Sequence, residues 1–160
     1  MHSLAEIIAS GQYYKPTLEK FFKLTEAYED GPNSPDYRER RIKMEEIKIE
    51  VANLMAKNQL DALVYPHQKC LVLPIGATFQ KDRNGVIAAL TGFPAIEVPA
   101  GYSTPTADAP IGVPVGLEFL GRAWAEPELI RLAYGFEQAT HLRKPPVSTP
   151  ALHATQRAKP

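Results

Sequence analysis

Proline constrains this chain more than any other residue. Of 160 residues, 15 are proline, about twice the usual share, and most lie at the ends of apolar runs. Proline locks φ and has no N–H to donate, so it ends a helix or a central strand. Leu60-Asp61-Ala62-Leu63-Val64-Tyr65 stops at Pro66, and Cys70-Leu71-Val72-Leu73 stops at Pro74. Ala95-Ile96-Glu97-Val98 is bracketed by Pro94 and Pro99, and Gly112 to Leu120 is rich in Val, Leu and Phe. Each reads as a short strand with sharp ends.

Helices surround these runs. Ser3 and Glu6 form an S-x-x-E capping box ahead of Ile7 and Ile8, with Gly11 placed to close the helix. Pro16 suits the first turn of a second helix bearing Leu18, Phe21, Phe22 and Thr25, which Asp30-Gly31-Pro32-Asn33 breaks. Ser34 caps the longest helix, running from Pro35 to about Lys57. Its Met44, Ile47, Val51, Leu54 and Met55 recur at spacings of three and four. Arg41 and Glu45 form an i,i+4 pair on its charged face, which reads as a solvated surface. Val86 to Thr91 reads as a short helix ended by Gly92, after a turn at Lys81-Asp82-Arg83-Asn84-Gly85. The last helix starts at Glu126-Pro127 and puts Leu129, Leu132, Ala133 and Phe136 on one face.

Helices alternating with strands that are apolar on successive positions indicate an α/β fold, a mixed sheet with flanking helices and a helical N-terminal segment. The expected organisation is one module over 1–142, helical to 58 and mixed from 59, then a proline-rich tail over 143–160 that is mobile unless docked. Only four strand candidates are present. A sheet covered on both faces needs more chain than this, so the sequence reads as part of a larger sheet.

Charge and composition narrow the function. The 18 Lys+Arg balance 18 Asp+Glu, so no global field favours nucleic acid or an anionic membrane. Apolar runs such as Val86–Leu90 are too short to span a bilayer, and the first residues contain no secretory pattern. The single cysteine, Cys70, excludes a disulfide framework, which makes a reducing cytoplasmic setting the expectation. His2, His67, His141 and His153 show no HxxxH or HxH spacing. No metal site and no cofactor are expected.

Several blocks carry a resemblance. They are Asp61-Ala62-Leu63-Val64-Tyr65-Pro66, Ala88-Ala89-Leu90-Thr91-Gly92-Phe93-Pro94-Ala95-Ile96, Val98-Pro99-Ala100-Gly101 and Gly112-Val113-Pro114-Val115-Gly116-Leu117-Glu118-Phe119-Leu120-Gly121-Arg122. Leu132-Ala133-Tyr134 and Glu137-Gln138-Ala139-Thr140 follow. In this order they resemble the C-terminal third of amidase signature hydrolases. Arg143-Lys144-Pro145-Pro146-Val147-Ser148-Thr149-Pro150 makes the fungal-type members look nearest. The resemblance runs from about Leu4 to Pro150 and implies part of a large mixed sheet covered by helices. It also implies hydrolysis of amides by a serine, a second serine in a cis peptide, and a lysine. The glycine- and serine-rich segment that supplies both serines has no counterpart here. Ser3, Ser10, Ser34, Ser103 and Ser148 all lie outside any glycine-rich elbow. No catalytic residue is therefore assigned, and the isolated chain is expected to be inactive.

The expectation is a truncated or split amidase-like protein. The alternative is a non-catalytic binding or self-associating module derived from one. Its partners would be a second copy or a complementary amidase fragment, with a small-molecule amide as any substrate. The resemblance places the stretch after the Leu60–Pro66 strand beside a substrate channel, so Tyr65, His67, Gln68 and Cys70 are the candidate pocket residues; the alternative is a plain loop. Cys70 with His67 could be cast as nucleophile and base, but the Leu-Val-Leu run after Cys70 favours a buried, inert thiol. Glu97, alone in an apolar strand, implies either a less enclosed strand or a basic partner, and missing neighbours favour the first. Glu118 is expected to point to the polar side, Trp124 to anchor the last helix, and Arg122 to lie in the turn before it rather than clamp an anion.

Overall fold

Helix ends follow from the side chains placed at them. The computed structural model describes residues 3–28, 30–77, 80, 82–146 and 149. Helix α1 spans Leu4–Ser10; the Ser3 hydroxyl accepts from the Glu6 N–H at 3.2 Å, and Gly11 closes the helix at φ +63°. Helix α2 spans Lys15–Glu26 with Pro16 in its first turn. The two pack on each other, with the Tyr13 and Phe22 ring centroids 4.9 Å apart. Neither buries a residue, and Phe21 is 61% exposed. The apolar residues Leu18, Phe21 and Phe22 thus cover no sheet face, because α2 takes α1 as its principal neighbour.

After a 3₁₀ turn at Gly31–Asn33, Ser34 accepts from the Tyr37 N–H at 3.2 Å and starts α3, Pro35–Lys57. Arg41 and Glu45 approach to 3.9 Å at the surface. Met44, Ile47 and Val51 are half-buried and Met55 is fully buried, but Leu54 is exposed. Adjacent positions lie about 100° apart around a helix, so burying Met55 turns Leu54 outward. Helix α3 packs against α4, Val86–Thr91, which Gly92 closes at φ +68°.

The strands are β1 Ala62–Pro66, β2 Ala95–Tyr102 and β3 Pro114–Gly121, in the order β1-β3-β2 with both pairings antiparallel. The α/β class holds. The run Cys70–Pro74 forms no strand, correcting that expectation, because no described segment lies alongside to pair with it; the nearest ladder contact is the bridge between Gln68 and Arg83. Strand β2 continues through Pro99, with a register shift between Pro99 and Gly101. An edge strand tolerates the missing N–H.

Helix α5, Glu126–Thr140, lies across β2 and β3. Val98, Phe119, Leu129 and Ala133 form the buried cluster, with Ile96, Leu117, Leu132 and Phe136 packed against it. The Phe119 and Phe136 rings meet edge-on at 6.0 Å. Gly121 permits this approach, since a Cβ there would lie 2.9 Å from Leu129 Cγ. Strand β1 is only partly covered: Ala62 packs against the cluster, but Val64, which pairs with buried Phe119, is 50% exposed. Trp124 is 89% exposed, so Leu129 and Ala133 anchor α5 and Trp124 does not. Beyond α5, the Tyr102 hydroxyl donates to the Lys144 carbonyl at 3.3 Å, and the Lys144 ammonium stands 5.3 Å from the Tyr102 ring centroid. Most of the tail expected to be mobile lies outside the described residues. Among the described residues no helix is long and apolar enough to cross a membrane.

Candidate functional site

Period-two alternation puts Val64, Phe119 and Ile96 on the α5 face and sends Tyr65, Glu118 and Glu97 to the other. Tyr65 and Glu97 are both register partners of Glu118, so the three side chains lie in one row across the sheet. Glu118 thus lies on the side away from Leu117 and Phe119, in a row with Tyr65 and Glu97, yet it is only 4% exposed. The face is mixed: Leu63, Leu120 and Ala95 form the apolar row two residues along, and Leu120 is fully buried. A buried carboxylate requires donors, and two reach it: Tyr65 Oη donates to Oε1 at 2.6 Å, and His67 Nδ1 bonds Oε2. Burial, then the bond to Glu118, hold the Tyr65 phenol well above the usual tyrosine range. The bond from Nδ1 fixes the orientation of the His67 ring against Glu118.

The segment after β1 is pinned rather than loose. The Asn84 and Gly85 N–H groups donate to the His67 carbonyl at 2.8 and 3.4 Å, and the Lys69 N–H donates to the Asp82 carbonyl at 2.9 Å. The Asn84 side chain donates to the Pro66 carbonyl at 2.8 Å. The His67 ring lies against Gly85, where any Cβ would overlap it. Gln68 Oε1 is sealed from solvent and accepts no hydrogen bond among the described residues. Cys70 is exposed and accepts from Gln80 Nε2 at 3.0 Å. The buried-thiol reading is corrected: without a strand at 70–74, nothing carries the thiol into the core.

Beside this segment opens a cleft of about 670 Å³, lined by His67, Gln68 and Cys70 together with Glu97, Val115 and Gly116. Of the four candidate pocket residues, Tyr65 alone does not line the cleft; it reaches Glu118 instead. Glu97 is exposed, in line with the less enclosed strand. Its carboxylate crosses the backbone of Gly116, where a Cβ would fall on it. Sequence reasoning does not single out Glu97 or Glu118 as a site residue. Each is the single carboxylate of an otherwise apolar strand, a signal that joins them only once the β2–β3 register is known.

The remaining candidates lie elsewhere. Ser3 and Ser34 cap helices, Ser10 Oγ donates to the Ile7 carbonyl at 2.7 Å, and Ser103 Oγ accepts from the Val113 N–H at 3.0 Å. Arg122 donates to the Leu60 carbonyl at 2.6 Å. Among the described residues no group of three His, Cys, Asp or Glu could hold a metal ion. Among the described residues no serine lines the cleft, and Ser148 lies outside them.

No family model matches the chain. It is 40% identical over 96 residues to a probable amidase of Arabidopsis thaliana, an overlap of 60% of this chain and 15% of that protein. It is 35% identical over 111 residues to a glutamyl-tRNA(Gln) amidotransferase subunit of Synechococcus, covering 64% of this chain and 20% of that one. Among solved structures, a peptide amidase from Stenotrophomonas maltophilia superposes with a TM-score of 0.71 at 32% identity, over 91% of this chain and 29% of that chain. An amidase family protein from Bacillus anthracis gives 0.62 at 30% identity, over 91% of this chain and 26% of that chain. The chain therefore spans well under a third of the length of the proteins it matches.

Proposed function

Because this chain is homologous to a segment of amidases and of a tRNA-dependent amidotransferase, we propose that it is one part of an amidase-like carbon–nitrogen hydrolase. It contributes sheet and cleft wall to a fold whose serine nucleophile lies outside these 160 residues. The observation that carries this reading is the superposition of 91% of the chain on 29% of the peptide amidase at 32% identity. Nucleophilic amide hydrolysis needs a nucleophile, an adjacent base and oxyanion donors in one pocket. Among the described residues the cleft offers an oriented imidazole and a carboxylate but no serine.

Purified chain is expected to give no turnover of an aryl amide above buffer, and addition of a serine-bearing amidase segment is expected to produce it. Turnover by the chain alone that disappears in Cys70→Ala contradicts the proposal. A self-associating module is the second reading, supported by the exposure of Val64, Ile130 and Tyr134.

A further inference from the structure

Beyond α5 the chain turns back onto the sheet. His141 closes the helix at φ +50°, and His141, Leu142 and Arg143 share a groove with Pro99 of β2. Arg143-Lys144-Pro145-Pro146 continues along a second groove, lined with Gly101, Tyr102, Ile111 and Pro114. Tyr102 and Pro114 are the register pair where β2 and β3 give way to the connection between them. Two contacts hold the segment there, and both fall on one side chain. Tyr102 Oη donates to the Lys144 carbonyl at 3.3 Å, and Lys144 Nζ stands 5.3 Å from the Tyr102 ring centroid. The backbone is prepared for docking: Pro145 and Pro146 fix φ, and a residue before a proline is held extended, so little chain freedom is lost. Against that, every residue from Arg143 to Pro146 is exposed. An exposed hydrogen bond and an exposed cation–π contact are each small, so a segment held by these two opens and closes.

We propose that residues 142–146 are a reversible strap whose latch is the charge of Lys144 on the Tyr102 ring. Closed, the strap ties the end of α5 to the 103–113 connection between β2 and β3. Open, it frees that connection and uncovers the groove of Tyr102, Ile111 and Pro114. Loss of the Lys144 ammonium charge removes the cation–π contact and shifts the strap toward the open state. The device stands apart from the amidase reading, because it uses only β2, α5 and the segments that follow them.

The test is limited trypsin digestion of the full chain. Trypsin cuts after Arg143, while Pro145 shields the bond after Lys144. Each rate is divided by that of a free peptide of the same sequence, which removes the effect of the substitution on trypsin itself. Lys144→Gln should speed the cut after Arg143 about threefold, and Tyr102→Leu, which removes ring and hydroxyl together, about tenfold. Lys144→Arg keeps a cation over the ring and should cut at the parent rate. Slow cutting after Arg131, inside α5, shows that the helix is retained. Should Tyr102→Leu lose the fold, Lys144→Gln against Lys144→Arg, at an exposed position, decides alone. Hydrogen exchange at the Ser103, Ala109 and Gly112 amides, all bonded within the connection or at its end, should quicken in the same order. Equal cutting of Lys144→Gln and parent, or exchange in the connection that does not follow release, overturns the proposal. Protection of the Arg143 bond that grows with chain concentration also overturns it, since the segment then docks on a second copy.

Discussion

Glu118 holds the polar face together because its two oxygens fix two other side chains, Tyr65 and His67. Removing the phenol in Tyr65→Phe leaves one buried oxygen short of a donor. That should cost about 1–2 kcal/mol in urea unfolding, with the sheet retained. The raised Tyr65 pKa also has a sign. Above pH of about 10 an unfolded tyrosine loses its proton while the folded one keeps it, so the unfolded state binds fewer protons and stability falls as pH climbs. Stability measured from pH 8 upward should therefore drop less steeply in Tyr65→Phe than in the parent chain. Gln68 is the opposite case. Its sealed Oε1 has no donor among the described residues, so Gln68→Met should leave stability unchanged or raise it in the same urea measurement, since an unmade buried hydrogen bond is a cost.

Two glycines separate packing from propensity at the scale of elements. A Cβ at Gly121 would press on Leu129 Cγ, whereas one at Gly135 meets nothing within 4 Å. Gly121→Ala should lift α5 and cost about 1–3 kcal/mol; Gly135→Ala, inside the same helix, should gain about 0.5–1 kcal/mol. Thermal melts of the two variants should move in opposite directions. The helices were legible in the sequence because caps are local: Ser3 and Ser34 each act on an N–H three residues ahead. Strands depend on partners that sequence does not display. Cys70–Pro74 has the composition of a strand yet lacks a neighbour, while β2 pairs past a proline because it lies at an edge. The alternation around Glu118 told which residues share its face but not that the face is closed over it. Pocket residues His67, Gln68 and Cys70 were legible as a loop after a strand end. The carboxylates facing them required the β1-β3-β2 order.

Across the whole molecule, burial is scarce. Among the described residues seven hydrophobic residues are buried, while large ones from Leu24 and Ile42 to Val64 and Tyr134 are half exposed or more. Helix α5 packs on β2 and β3 and reaches β1 only at Ala62, and neither α1 nor α2 holds a fully buried residue. At about 25 cal/mol per Å², a wet apolar patch of a few hundred Å² forgoes on the order of 10 kcal/mol, comparable with the whole stability of a domain. Such surface is covered either by a second copy, in the self-complementary pairing that favours dimers, or by the remainder of an amidase fold. Sedimentation velocity of the purified 160-residue chain across micromolar concentrations tests this most directly. Association should grow with concentration and give species heavier than the 17.7 kDa monomer; a single monomeric boundary at every concentration, from a chain that unfolds cooperatively, would show that the exposed apolar surface needs no cover.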